Sequence, residues 1–173
     1  MGLFNAGRDV RTINALLTGA EHEARRGGDA LPGPEHLLLS ALNLADGTAA
    51  LALGRFGVDG AALHAALERV HAEALSDIGV SEPDPVAESG ADEPLGRAGG
   101  VFRSTPQAQQ VFRDAVALSK QASPSRLLGA HVVAAVCAVE HGTSARVLAA
   151  LGIDRSELRT AALTQAAGDG SRR

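Results

Sequence analysis

Shifted by 95 positions, residues 9–67 of the chain align without gaps onto residues 104–162. Ala20/Ala115, His36/His131, Gly47/Gly142, Thr48/Thr143, Ala50/Ala145, Leu53/Leu148, Gly57/Gly152, Asp59/Asp154, Leu63/Leu158 and Ala66/Ala161 are identical pairs, and eight of these ten fall within positions 47–66. Val58/Ile153, Leu37/Val132 and Leu16/Val111 are conservative exchanges. A chain written twice in this way builds one supersecondary unit twice, and each unit needs a neighbour to bury its apolar face.

The filling available to those units is small. Aromatic residues make up 2% of the 173 residues, with no Trp and no Tyr, against 45% apolar overall. A core of Ala, Leu and Val suits closely packed helices better than a β-sandwich. Between the copies, residues 79–103 hold three of the seven prolines, and Asp77, Glu82, Asp84, Glu88, Asp92 and Glu93 stand in a stretch without Lys or Arg. Proline removes backbone donors and like charges repel, so this segment is expected to be a linker outside any core. The expected organisation is repeat 1 over 1–78, an acidic linker over 79–103, repeat 2 over 104–167 and a frayed tail over 168–173.

Within each copy the apolar spacing predicts four helices. The first runs from Asp9 to Arg26, with Ile13, Leu16, Leu17 and Ala20 on one stripe, and its counterpart from Pro106 to Gln121. Gly27-Gly28 and Ser123-Pro124 end them. The second helix, PEHLLLSALNLA or GAHVVAAVCAVE, is apolar on nearly all sides and is expected to be the buried centre. Asp46-Gly47-Thr48 and His141-Gly142-Thr143 turn into a short third helix that ends at Gly57 or Gly152, where a left-handed residue is favoured. Asp59 and Asp154 are the expected N-caps of the fourth helix, the latter with Glu157 placed to complete a capping box. The fold expected is all-α: two tandem, pseudo-symmetric four-helix repeats, read as two small bundles joined by a strap.

The run Pro34-Glu35-His36-Leu37-Leu38-Leu39, followed by Gly47-Thr48-Ala49-Ala50, Leu53, Phe56-Gly57-Val58-Asp59 and Leu63, resembles the Clp N-terminal repeat. The second copy, from His131 through Gly152-Ile153-Asp154 to Leu158, is similar to the latter part of that pattern, and Phe102-Arg103-Ser104-Thr105-Pro106 looks like the family's opening to helix one. The resemblance implies the N-terminal domain of ClpA/ClpC-type unfoldases, which receives adaptors and substrates. No G-x-x-x-x-G-K-[ST] occurs to cradle phosphates, so the expectation is a stand-alone ClpC-like N-domain without the AAA+ module. The Lys-poor, Ala/Arg/Gly-rich composition suits a high-GC bacterium.

The resemblance also implies a phosphoarginine site in each repeat, pairing the Glu of the Glu-His-Leu-Leu helix with a Thr at the start of helix one. Repeat 1 keeps Glu35 but has Val10 at the Thr position, and repeat 2 keeps Thr105 but has Ala130 for the Glu. Glu35, Thr105 and Arg103 are therefore the candidate ligand-binding residues. His36 and His131 are expected to be structural imidazoles bonded to nearby backbone, with His22, His64, His71 and His141 scattered and exposed. Cys137, the single cysteine, lies in an apolar run that suits a small hydrophobe rather than a reactive thiolate.

These readings point to a non-catalytic module for a protein or peptide partner, whether adaptor, substrate or Clp unfoldase. No metal-ligand spacing, nucleophile constellation or cofactor motif is present, so no enzyme, metal or cofactor is expected. The net charge of −4 argues against nucleic acid, and leaves a helical DNA-binding regulator as the alternative class. No run spans a bilayer and no secretory signal opens the chain, so the expected location is cytoplasmic and away from the membrane.

Overall fold

A computed structural model of the protein describes residues 3–77 and 102–170. Most of the acidic segment expected as a linker lies outside the described residues, as does the end of the expected tail. Eight helices and no strands are found among the described residues: α1 (Leu3–Gly27), α2 (Pro34–Leu42), α3 (Thr48–Gly54), α4 (Gly60–Asp77), α5 (Pro106–Gln121), α6 (Gly129–Val136), α7 (Thr143–Ala150) and α8 (Arg155–Gly170). From α2 onward the starts of matching helices differ by 95 residues, so the duplicated sequence produces duplicated elements. Helix α1 begins earlier than the apolar stripe suggested, and α8 continues through Gly168, where fraying was expected.

The helix ends follow local chemistry. Asp59 Oδ1 accepts the Ala62 N–H at 2.9 Å, and Asp154 Oδ1 accepts those of Ser156 and Glu157 at 2.8 and 2.9 Å. No hydrogen bond from the Glu157 side chain back to Asp154 is present among the described residues. Gly57 and Gly152 have φ of 70° and 69°. In both copies the glycine N–H bonds the carbonyl three residues back, and the next N–H bonds the carbonyl five back: Gly57 to Gly54 and Val58 to Leu53, Gly152 to Ala149 and Ile153 to Leu148. That is a Schellman stop, which a side chain at the glycine would strain.

Tertiary packing departs from the expectation of two separate bundles. Helices α2 and α6, the most apolar, pack against each other at the centre, and every residue of α6 is buried. The short helices reach across: α3 packs on α6 and α8 of the other repeat, and α7 on α2 and α4. One apolar cluster, with Leu16, Leu37, Leu53 and Leu63 from repeat 1 and Val111, Val133, Leu148 and Leu158 from repeat 2, runs through both. Repeats this rich in alanine present shallow ridges, and crossing over buries more of them than side-by-side packing would. Phe102, placed in the linker by composition, also packs on this core.

Polar groups close the joint. The first N–H groups of α6 have no partner within their own helix. Asp46 accepts from Gly129 N–H (3.2 Å to Oδ2), and Thr48 Oγ1 accepts from Ala130 N–H at 2.9 Å, while Asp46 also receives the Thr48 hydroxyl and N–H. At the other end, Arg159 and Arg155 of α8 donate to the carbonyls of Ala134 and Val139. Repeat 1 thus caps the central helix of repeat 2. Asp46→Ala is expected to cost about 1–3 kcal/mol in urea unfolding, because it strands buried donors at the joint. A loss below a few tenths would show that the cross-repeat cap is idle.

Candidate functional site

The start of α5 lies against the α1–α2 loop of the other repeat, where the Thr105 N–H donates to Pro32 O at 3.0 Å. Thr105 is also the N-cap of α5, its Oγ1 accepting from Ala108 N–H at 3.2 Å, with Pro106 opening the helix. Proline suits that position because its missing N–H would be unbonded there anyway. Beside this seam, Glu21, Arg25, Asp29, Leu31, Pro32 and Arg103 line a pocket of about 450 Å³. Arg25 and Glu21 approach to 3.5 Å on the surface of α1, an exposed pair that adds little stability.

Of the candidate residues, Arg103 lines this pocket, and Thr105 is tied to the loop that forms its wall. Glu35 is turned elsewhere. Its side chain is 12% exposed, and its Oε1 stands 3.4 Å from His36 Nδ1. The carboxylate folds over Gly33, where an added Cβ would come within 2.1 Å of Oε1. Burial pushes the Glu35 carboxyl above its ordinary range, its own backbone N–H and His36 oppose this, and Asp29 adds to it. At the positions that departed from the family pattern, Val10 is 55% exposed and Ala130 is fully buried.

The two matched histidines are held alike. His36 Nδ1 accepts the Gly33 N–H at 2.9 Å and His131 Nδ1 the Leu128 N–H at 3.2 Å, so each ring caps the helix it stands on and carries its proton on Nε2. His36 Nε2 is 3.2 Å from Asp29 Oδ2 but off the hydrogen-bond direction, so both atoms stay without a hydrogen bond. Burial lowers the His131 pKa, Asp46 opposes this, and Arg126 adds to the lowering.

His64 and His71 are not exposed as expected, because they lie on the part of α4 facing the end of α1. His64 Nε2 is 2.8 Å from the buried Glu23, and His71 is 4.0 Å from Asp29. His22 and His141 are exposed. No group of three or more His, Cys, Asp or Glu among the described residues is arranged to hold a metal. Cys137 ends α6, buried, its thiol pushed up to about 12 by that burial.

Sequence reasoning did not single out Asp29, Glu21, Leu31 or Arg25 as site residues. No motif marks them; only the approach of Arg103 from the other repeat makes them one wall. No helix among the described residues is long and apolar enough to cross a membrane. The family model described as the Clp repeat (R) N-terminal domain matches residues 11–98. A search of curated proteins finds no match to the chain.

Proposed function

Since the chain belongs to the Clp repeat N-terminal domain family, we propose that it is a non-catalytic protein-binding module serving a Clp unfoldase, with its ligand site at the seam of α1, the α1–α2 loop and the start of α5. The observation that carries this reading is the pairing of opposite charges in one pocket: Arg25 and Arg103 beside Glu21 and Asp29. A phosphorylated arginine side chain has the matching pattern. Its guanidinium donates to carboxylates and its phosphate accepts from arginine and from hydroxyl groups such as Thr105. The halves of the family's site that survive in this sequence, Glu35 and Thr105, come from opposite repeats but flank the same loop. Asp29 and Glu21 take the part of the acid, because Glu35 is folded onto Gly33.

Titration calorimetry with a phosphoarginine peptide and its unphosphorylated counterpart tests this. Arg103→Ala is expected to weaken the phosphorylated peptide about tenfold or more, as loss of a charged hydrogen bond does. Glu35→Ala should change it by no more than about twofold, since truncating a group turned away from the ligand removes no bond to it. No binding of either peptide, or equal binding to the Arg103 variant, overturns the site. A pull-down with the cognate unfoldase then separates two roles. Direct association supports delivery of clients; shared ligands without association support sequestration, which needs high abundance or comparable affinity.

A further inference from the structure

A pocket that holds a charged ligand must keep its own charges from pairing with one another. At the seam, Glu21 and Arg25 already approach to 3.5 Å. Asp29 does not follow them: among the described residues it forms no ion pair with Arg25 or Arg103, and its charge partners are two imidazoles. His36 Nε2 stands 3.2 Å and His71 Nε2 4.0 Å from Asp29 Oδ2. Gly27 borders the same space, where an added Cβ would lie 3.4 Å from Oδ2 and 3.9 Å from His36 Nε2. Oδ2 is buried, yet the Asp29 side chain is 38% exposed and lines the pocket, so the exposure lies on the Oδ1 side. One oxygen of this carboxylate is turned in to the imidazoles and the other out to a ligand.

The second copy shows that the repeat can be built without this arrangement. His131 caps α6 through Nδ1 as His36 caps α2. At the 95-residue offset, however, Pro124 stands for Asp29, Ala166 for His71 and Val116 for Glu21. The buried histidine and its cap persist where the carboxylates and the second imidazole are gone. Helix capping therefore accounts for His36 Nδ1, and it does not account for Asp29 or His71. The proton on His36 Nε2 faces Oδ2, and an N–H dipole attracts a carboxylate even off the hydrogen-bond direction.

We propose that Asp29 accepts the guanidinium of a phosphoarginine side chain and sets the preference for that residue over other phosphorylated ones, with His36 and His71 as positioning residues that hold Oδ2 inward. This rests on the reading of the seam as the ligand site, and it assigns the acid within it. Held from behind, Asp29 stays off Arg25 and Arg103 and leaves both cations to the phosphate. A phosphoserine side chain brings the phosphate but no donor for Asp29, and sets an anion beside it.

Titration calorimetry on the full chain, with a phosphoarginine peptide and a phosphoserine peptide of otherwise the same sequence, provides the test. The wild type is expected to prefer phosphoarginine at least about tenfold, and Asp29→Asn to lose that preference by weakening the phosphoarginine peptide alone. His36→Asn keeps an acceptor for the Gly33 N–H and removes the donor facing Asp29, so it should weaken phosphoarginine about threefold to tenfold. His71→Ala, at a half-buried position, should weaken it about twofold to fivefold. In the Asp29→Asn background neither histidine variant should change binding by more than about twofold, because each acts through that carboxylate. Urea unfolding separates loss of binding from loss of fold, and His71→Ala carries the positioning test if His36→Asn does not fold. An equal loss for both peptides in Asp29→Asn, an unchanged preference, or additive effects of the histidine and aspartate variants overturns the proposal. If Asp29→Asn is silent while Arg103→Ala still weakens binding, Asp29 is not the acceptor and the seam remains the ligand site. If the wild type binds no phosphoarginine peptide, the reading of the seam falls and the role of Asp29 falls with it.

Discussion

Leu53→Ala should lower the melting temperature of the whole chain in a single transition, although the residue belongs to the shortest helix of repeat 1. Leu53 is fully buried, on the helix that packs against α6 and α8 of the other repeat. Truncating a leucine in such a place costs about 2–5 kcal/mol, from the lost transfer of its methyl groups and the cavity left behind. For a chain of this size that is a drop of roughly 4–20 °C. The form of the transition is as informative as its position. Two repeats with separate cores would melt apart, with repeat 2 untouched by a change in repeat 1. A shared core melts as one unit, and amides of α6 and α8 should lose exchange protection together with those of α2. Two resolved transitions, or α8 protection unaffected by the substitution, would contradict the interlocked packing.

Gly129→Ala should be nearly as damaging, which is unusual for the addition of one methyl group at a helix start. An added Cβ would stand 2.9 Å from Ala49 Cβ and 3.0 Å from the Ala41 carbonyl oxygen. The carbonyl is backbone inside α2 and does not move aside, so α6 must shift from α2 and α3. Overpacking of this kind costs about 1–3 kcal/mol, and here the shift would also stretch the Gly129–Asp46 and Ala130–Thr48 bonds. Gly168→Ala in α8 is the control, since nothing lies within 4 Å of its added Cβ. There, alanine's helix propensity should leave stability unchanged or raise it by up to about 1 kcal/mol. If both substitutions proved neutral in denaturant unfolding, the close approach of α6 to α2 and α3 would not be what holds the repeats together.

Much of the fold is legible because its signals are local. Apolar spacing marks the helices, Asp59 and Asp154 cap their own helix starts, and Gly57 and Gly152 stop helices through their own backbone conformation. The His36 and His131 caps are also local, spanning three residues each. In contrast, Asp46-Gly47-Thr48 reads as a turn, and nothing nearby indicates that its carboxylate and hydroxyl cap a helix more than 80 residues away. Composition placed Phe102 in the linker, yet a single large apolar side chain beside a core packs against it, partly buried, whatever its sequence neighbours are.

The same division holds for the candidate site. The resemblance in residues 34–39 and 102–106 singled out Glu35, Arg103 and Thr105, and their residue types carry the chemistry of charge pairing. Which of them face a common space depended on contacts between repeats. Gly33 leaves room for Glu35 to fold inward, and Arg103 meets Asp29 and Glu21 only because α5 begins against the α1–α2 loop. Helix type, helix ends and the twofold repetition come from interactions within a few residues, so they are written along the chain. The crossing of α3 and α7 into the opposite repeat, and the seating of the start of α5 against the α1–α2 loop, arise from burial between distant surfaces, which has no direction in sequence and is settled only when those surfaces meet.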